Sequence, residues 1–385
     1  MQHVSPNDQS LCVCSFRRIH SFGLSLLVSL SALGHSTKSF SADAPKTAAP
    51  VAAEATSEPQ AEAETFTPPP ETAKPVDFCE LLSRGPGVAL QDTEVTLHTF
   101  LEKFIADLQQ KKFAHLNQFF HPRAKVRSDI GEKIESIINS RYDAPLQYSI
   151  FRVWRIKSPS ASKQILDSCP ESDGAKIITS FGYNEQFAVW IQIMGQNELG
   201  RLIVSIAPDK GWISIVGFRI QQWTQSGDDW RTWAMKGQAA EAKKNVRESY
   251  IAYDISQKLL EGKDLVLYPA QVDIIKKRDS FFTQPQLVET INKDLGITTT
   301  AYVGTLLAKE GSGLFLREYI AKELPTSKLN AMCLERGQKL EKAGWLNPTQ
   351  GLRCNFLFKG MDPTKDSGLG GFYKTAEDLH PTVKK

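Results

Sequence analysis

The side chains most able to do chemistry in this chain form a scattered set: Asp107, His121, Asp129 and Glu185. A carboxylate or imidazole placed over a closed apolar pocket can act as a general acid or base, because desolvation raises a carboxylate pKa toward neutrality. None of the four has a second carboxylate at a diagnostic spacing. Asp107 reads as a helix-end or turn residue, His121 beside Pro122 as a corner hydrogen-bonder, and Glu185 as a solvated strand entrance. Other chemistries lack their sequence marks: there is no GxSxG elbow, Walker loop, HExxH helix or dinucleotide fingerprint. Asp362 and Asp366 fall short of an EF-hand series, and 7 scattered histidines give no multi-histidine metal centre. The sequence therefore calls for no cofactor and no resident metal. Ligand contact is the other use open to these segments. Trp190, Gln192 and Trp212 combine apolar area with one polar orienting group, although large aromatics such as Trp154, Trp190 and Trp212 equally suit the core of a curved sheet.

The elements that must position these residues are legible from periodicity. Residues 92–112 carry Leu97, Phe100, Leu101, Phe104, Ile105 and Leu108 at helical spacing. Further short helices fit 113–120 and 130–138. The pattern then changes to alternation and β-branched residues over 148–156, 176–181, 186–194, 202–207 and 212–220, which predicts strands. Asp209, Lys210 and Gly211 make a tight turn between the last two. The stretch 158–174, carrying Cys169, reads as an exposed loop.

Leading helices followed by a bent antiparallel sheet give an α+β class. The order, the run from Phe100 through Asp107 to His121-Pro-Arg-Ala124, and Pro208-Asp-Lys-Gly-Trp-Ile-Ser-Ile-Val216 resemble the NTF2-like (SnoaL-like) fold over roughly 90–225. The resemblance implies a cone with a concave face. It also implies a choice between ketosteroid-isomerase-like, cyclase or dehydratase enzymes and noncatalytic binding or dimerisation modules, which fold alone does not decide.

Residues 228–245 and 246–260 predict two helices, with Asp228 or Asp229 able to cap the first. Trp233 and Gly237, with Ser249, Tyr253 and Ser256, resemble a single tetratricopeptide-like hairpin, in which small residues allow close crossing and the aromatic fills the gap. Lys236 and Glu261 depart from that pattern, and no second copy follows. A short helix fits 272–277. The final hundred residues form a mixed region of unassigned fold: 286–291 helix or strand, 297–304 strand, 314–321 a helix start, 327–342 helix, 354–358 strand and 367–373 a surface turn.

Arg17, Arg18 and His20 precede a short apolar core at 22–33 and small residues at 39–44, which reads as a secretory signal peptide over 1–42. Residues 43–75, rich in Ala, Pro, Glu and Thr, read as a disordered tether. Domains follow at 76–226, 227–285 and 286–385. Four cysteines remain after the leader, allowing three pairings. Cys333 and Cys354 are near in sequence and pair first, leaving Cys79 with Cys169; four reduced, buried cysteines are the alternative.

A formal charge of +3, from 46 Lys+Arg against 43 Asp+Glu, gives no dominating basic footprint for nucleic acid. No apolar run in the mature chain reaches a membrane span. The expectation is an exported binding or scaffold protein of the periplasm or outer envelope. Its partner would be an envelope protein or glycan-associated partner, with a small apolar ligand also possible. The alternative is a small-molecule isomerase, cyclase or hydrolytic enzyme acting through Asp107, His121, Asp129 or Glu185.

Overall fold

Four apolar side chains at helical spacing (Leu97, Leu101, Phe104 and Leu108) are all fully buried, so the first helix turns one stripe onto a sheet. The structure is a computed structural model that describes residues 78–84, 95–122, 129–158, 162–163, 165–166, 169–180, 182–209, 211–309, 311–366 and 368–379. The expected leader and tether lie outside these residues, as do Arg123, Ala124 and Lys210. The described residues belong to one compact unit of α+β class.

Its first half contains β1 (Phe78–Arg84), α1 (Val95–Gln109), a 3-10 turn (Phe113–Phe119), α2 (Ile130–Arg141), β2 (Gln147–Lys157), β3 (Ile165–Leu166), β4 (Lys176–Ile178), β5 (Glu185–Met194), β6 (Leu199–Asp209) and β7 (Trp212–Gln222). The long strands pair antiparallel in the order β1-β2-β5-β6-β7. One face meets α1, the 3-10 turn and α2 through Val189, Ile191, Leu202, Val204, Ile215 and Phe218. Trp154, Ala188, Trp190 and Ile203 point the other way, into a second core. That alternation is the period of two read from the sequence.

Part of the second face is covered by the 158–174 stretch. Among its described residues Ser162, Lys163, Ile165, Glu171 and Asp173 are exposed, as expected of a loop, while Leu166 and Cys169 are buried anchors, and Cys169 forms a disulfide with Cys79 of β1. Trp154 Nε1 donates to Pro170 O at 2.7 Å, fixing the stretch to the sheet. β4 pairs with β3 and with β10 (Val266–Leu267), making a small lid over the same face.

A tight ribbon of β8 (Thr224–Gln225) and β9 (Asp228–Asp229) leads into α3 (Trp230–Ala242) and α4 (Val246–Leu259). Asp229 caps α3 by accepting from Thr232 N, and Asn245 caps α4 by accepting from Glu248 N. A Cβ on Gly237 would stand 3.0 Å from the Tyr253 ring, so the two helices cross where one residue has no side chain. Next come α5 (Pro269–Phe281), α6 (Gln284–Leu295), β11 (Thr300–Ala308), β12 (Gly311–Ile320), α7 (Thr326–Lys342), β13 (Gly351–Phe358), β14 (Leu369–Lys374) and α8 (Ala376–Leu379).

The last hundred residues thus build a second sheet, β11-β12-β13-β14. β12 and β13 run parallel, and α7 supplies the long crossover such a pair needs. Leu287, Ile291, Leu329, Cys333 and Leu340 pack on Leu314, Leu316, Leu352 and Phe356. Two expectations fail here. Residues 314–320 lie in a strand rather than a helix start, because both faces of β12 are buried and its sequence does not alternate. Residues 369–373 form edge strand β14 rather than a turn, its glycines accommodated by positive φ at Gly370 and a bulge in the pairing with β13. Cys333 and Cys354 form the second disulfide, inside this core.

Candidate functional site

The richest concentration of polar and aromatic groups lies on the second face of the first sheet, where β2, β5, β6 and β7 run side by side. Pairing places Ser149 opposite Gln192, Arg152 opposite Trp190, and Gln192 opposite Arg201. The register slips between Ile150 and Arg152, so Phe151 is an extra residue and the strand bends there. Its ring stands 4.3 Å from the Arg152 guanidinium and 5.0 Å from that of Arg201.

Arg201 is the centre of the group. Only 5% exposed, its guanidinium lies 3.4 Å from the Trp223 ring and 4.5 Å from that of Trp190. Nη2 donates to Asp173 at 3.0 Å, and Nη1 to the Tyr268 hydroxyl at 3.5 Å. Burial pushes its pKa down, while Tyr268 and Asp173 oppose that shift. The loop that supplies Asp173 also supplies Glu171, whose carboxylate is 3.5 Å from Arg152 Nε. Both acids have left-handed backbones, φ 53° at Glu171 and 55° at Asp173, a conformation uncommon for side-chain-bearing residues. The Cys79–Cys169 bridge holds the start of this loop in place.

Beside this closed ion-pair cluster lie groups with unused hydrogen-bonding capacity. Among the described residues Ser149 Oγ and Trp190 Nε1 are enclosed without a hydrogen-bond partner, and Arg152 Nε, also enclosed, faces only the Glu171 carboxylate of its ion pair. Gln192, Phe151 and Trp223 are half-buried, so the cluster has a solvent-facing edge. Further along the same face, Gln186, Ala188, Trp190 and Ser205 face Leu265 and Val266 across a void of about 10 Å³, room for roughly one water molecule.

The residues singled out in the sequence are dispersed. Asp107 closes the end of α1, its backbone carbonyl accepting from Lys112 N and its carboxylate from Gln118 at 3.5 Å. His121 is buried, and its backbone N–H donates to Ile215 O. Asp129 stands at the start of α2 in an ion pair with Lys133 at 2.5 Å. Glu185 accepts from Arg155 Nε at 2.6 Å at the entrance of β5. The three carboxylates are therefore each engaged with a different partner, on separate elements from one another.

Trp190 and Gln192 do share one face, but Trp190 is fully buried against Trp154 with ring centroids 4.8 Å apart. Trp212 stands apart from both. It begins β7 at the hairpin tip, opposite Asp209, after Gly211 at φ 83°, and is 79% exposed. Among the described residues no group of three or more His, Cys, Asp or Glu is placed to hold a metal, and no helix is long and apolar enough to cross a membrane.

Sequence reasoning missed Phe151, Arg152, Arg201 and Trp223. Their grouping depends on which strands pair and on one bulge, information carried by no single segment. An arginine in mid-strand among apolar neighbours, as in Gly200-Arg-Leu-Ile-Val204, is the signal that points to it, since a buried guanidinium needs partners. No family model, curated protein or solved structure matches this chain.

Proposed function

We propose that this chain is an exported, noncatalytic binding or scaffold protein of a bacterial cell envelope. In this reading it consists of an NTF2-like cone with one tetratricopeptide-like hairpin, and it engages an envelope protein through the hairpin tip at Trp212. The single observation that carries the reading is the contrast between the covered face of the first sheet and the exposed start of β7. The face beneath α1 and α2 is filled by the protein's own Val189, Ile191, Leu202, Val204 and Phe218, whereas Trp212 projects almost entirely into solvent from a rigid two-strand support.

Burying an indole at a partner surface releases a large apolar area while its N–H finds an acceptor, which is why tryptophan is frequent among contact hot spots. Long strands on either side hold it in place, so little ordering is left to be done on binding. Two disulfides fit an oxidising compartment. The signal-like leader and the Ala/Pro-rich tether add export and reach.

A photoreactive amino acid at position 212, introduced into the full chain in its producing cells, is expected to crosslink to one discrete envelope protein. The same group at exposed Met235 of α3 serves as the comparison and should give no such product. Crosslinks of equal yield from both positions, or none from 212, would sink the reading.

A further inference from the structure

We infer that Glu198 is a pH-sensitive clasp, which tightens the joint between the first sheet and the elements that follow it as the surroundings acidify. It sits at the opposite end of β6 from the Trp212 tip and does not depend on that tip binding anything. The joint is the β8–β9 ribbon, where three parts of the fold meet. Trp223 N donates to Leu199 O of β6 at 2.8 Å, and Gln225 O accepts from Trp233 Nε1 of α3 at 3.1 Å. The Gln225 amide donates in turn to Ala308 O of β11 at 3.2 Å.

Glu198 ends the turn between β5 and β6 and reaches across to this ribbon. Its carboxylate accepts from the Thr224 hydroxyl at 2.8 Å and from the backbone N–H groups of Ser226 and Gly227. Those two residues are the tip of the ribbon, at φ 56° and 78°, and a turn of this kind presents successive N–H groups to one anionic partner. The carboxylate is only 3% exposed, and among the described residues no cation forms an ion pair with it. Hydrogen bonds alone hold it, and they offset only part of the cost of enclosing a charge.

The neighbouring charges do not relieve that cost. Asp228 of β9 adds a second negative charge, itself paired with Lys236 at 2.5 Å. Against the β5–β6 turn, Gln196 N donates to Asp143 O, and the Asp143 carboxylate is paired with Lys309 at 3.9 Å. Tyr142 donates its hydroxyl to Gln221 O, and burial raises its pKa, so it stays a neutral phenol. Arg141 and Arg219, which bear on Tyr142, are engaged by Ile220 O and by Glu261. Burial, with a smaller push from Asp228, therefore raises the Glu198 carboxyl above its ordinary value of 4.5.

The sign follows from that direction. Glu198 binds its proton more tightly in the closed joint than in an opened one, where its pKa is ordinary. Acidification from neutral pH towards 4.5 therefore favours closure. Protonation keeps a contact on each oxygen. The carbonyl oxygen still accepts from the ribbon N–H groups. The acid O–H donates to Thr224 Oγ1, which has a lone pair beyond the one that Leu199 N uses at 2.8 Å.

Amide hydrogen exchange of the full chain between about pH 7.5 and about pH 5, corrected for intrinsic exchange, tests the inference. Protection of residues 224–229, taken relative to β5, is expected to rise roughly twofold or more on acidification. Glu198→Gln keeps an acceptor for the ribbon and a donor for Thr224 without the charge. It is expected to show the higher protection at both ends of the range. Asp228→Asn removes the neighbouring negative charge and is expected to move the rise to lower pH. Asp228 is half-buried on a short ribbon, so this variant reads the clasp even where Glu198→Gln does not fold. Protection in the parent that is flat or falls with acid overturns the inference. So does a rise that Glu198→Gln leaves unchanged, or one whose position Asp228→Asn does not move.

Discussion

Replacing Cys79 and Cys169 together by alanine is expected to lower the stability of the folded body by about 4–5 kcal/mol. The bridge joins residues 90 apart in sequence, and a crosslink of that span strongly restricts the unfolded chain while costing the native state little. It also acts locally. β1 is an edge strand held by β2 on one side, with Cys79 opposite Ile156 and Leu81 opposite Trp154. Without the bridge, both this strand and the loop bearing Glu171 and Asp173 lose a fixed point, and the Arg201 cluster loosens with them. The Cys333–Cys354 bridge spans only 21 residues, so the corresponding double alanine variant is expected to lose about 3 kcal/mol by the same relation. Alanine is preferred to serine because these sulfurs lie in an apolar core, where a hydroxyl would need a partner. Urea unfolding of the two variants beside the parent measures both losses. A loss below about 2 kcal/mol for the longer bridge, or a larger loss for the shorter one, would contradict the argument.

That the preferred pairing matches both bridges follows from simple proximity: Cys333 and Cys354 are close in sequence near the end of the chain, which left Cys79 for Cys169. The strands of the first sheet were legible for a different reason. β2, β5 and β6 put apolar side chains into two distinct cores and β7 into one, yet β-branched and aromatic residues dominate them, and the Asp209–Gly211 turn marks a hairpin. β1 escaped notice because Phe-Cys-Glu-Leu-Leu-Ser-Arg carries little alternation and owes its conformation to β2 and to the disulfide. β12 was misread because a strand buried on both faces reads as a continuous apolar run that suits a helix equally well. The Arg201 cluster lay beyond sequence reasoning altogether. Phe151, Trp190 and Arg201 come from three strands and Trp223 from the link after β7, and only the pairing register brings them together.

A deeply buried charge supplies the second large effect. Asp254 on α4 is 3% exposed, and it is the point at which α4, α5 and β11 are tied together. Its Oδ1 accepts from Arg278 Nη1 at 2.9 Å, its Oδ2 from the Thr305 hydroxyl at 2.6 Å and from Thr305 N at 3.2 Å, and Lys258 lies 3.5 Å away. Burial opposes ionisation of this carboxyl. Lys258, Arg278 and the Thr305 hydrogen bond together outweigh it and hold the pKa below its ordinary value of 3.8. Asp254→Ala is expected to destabilise the protein by about 3–5 kcal/mol, because Arg278 and the Thr305 groups are left facing an apolar gap. Asp254→Asn is expected to cost less, since an amide oxygen can still accept from Thr305. The sign of the pH dependence follows from the direction of the shift. A carboxyl more acidic in the folded state than in the unfolded chain contributes its stability above about pH 4, and that contribution is lost as pH falls through the folded value. The stability gap between the parent and Asp254→Asn, measured by urea unfolding at successive pH values, should therefore be full at neutral pH and narrow below about pH 4. A gap that stays constant into strong acid, or widens there, would show that the carboxylate charge does not hold these three elements together.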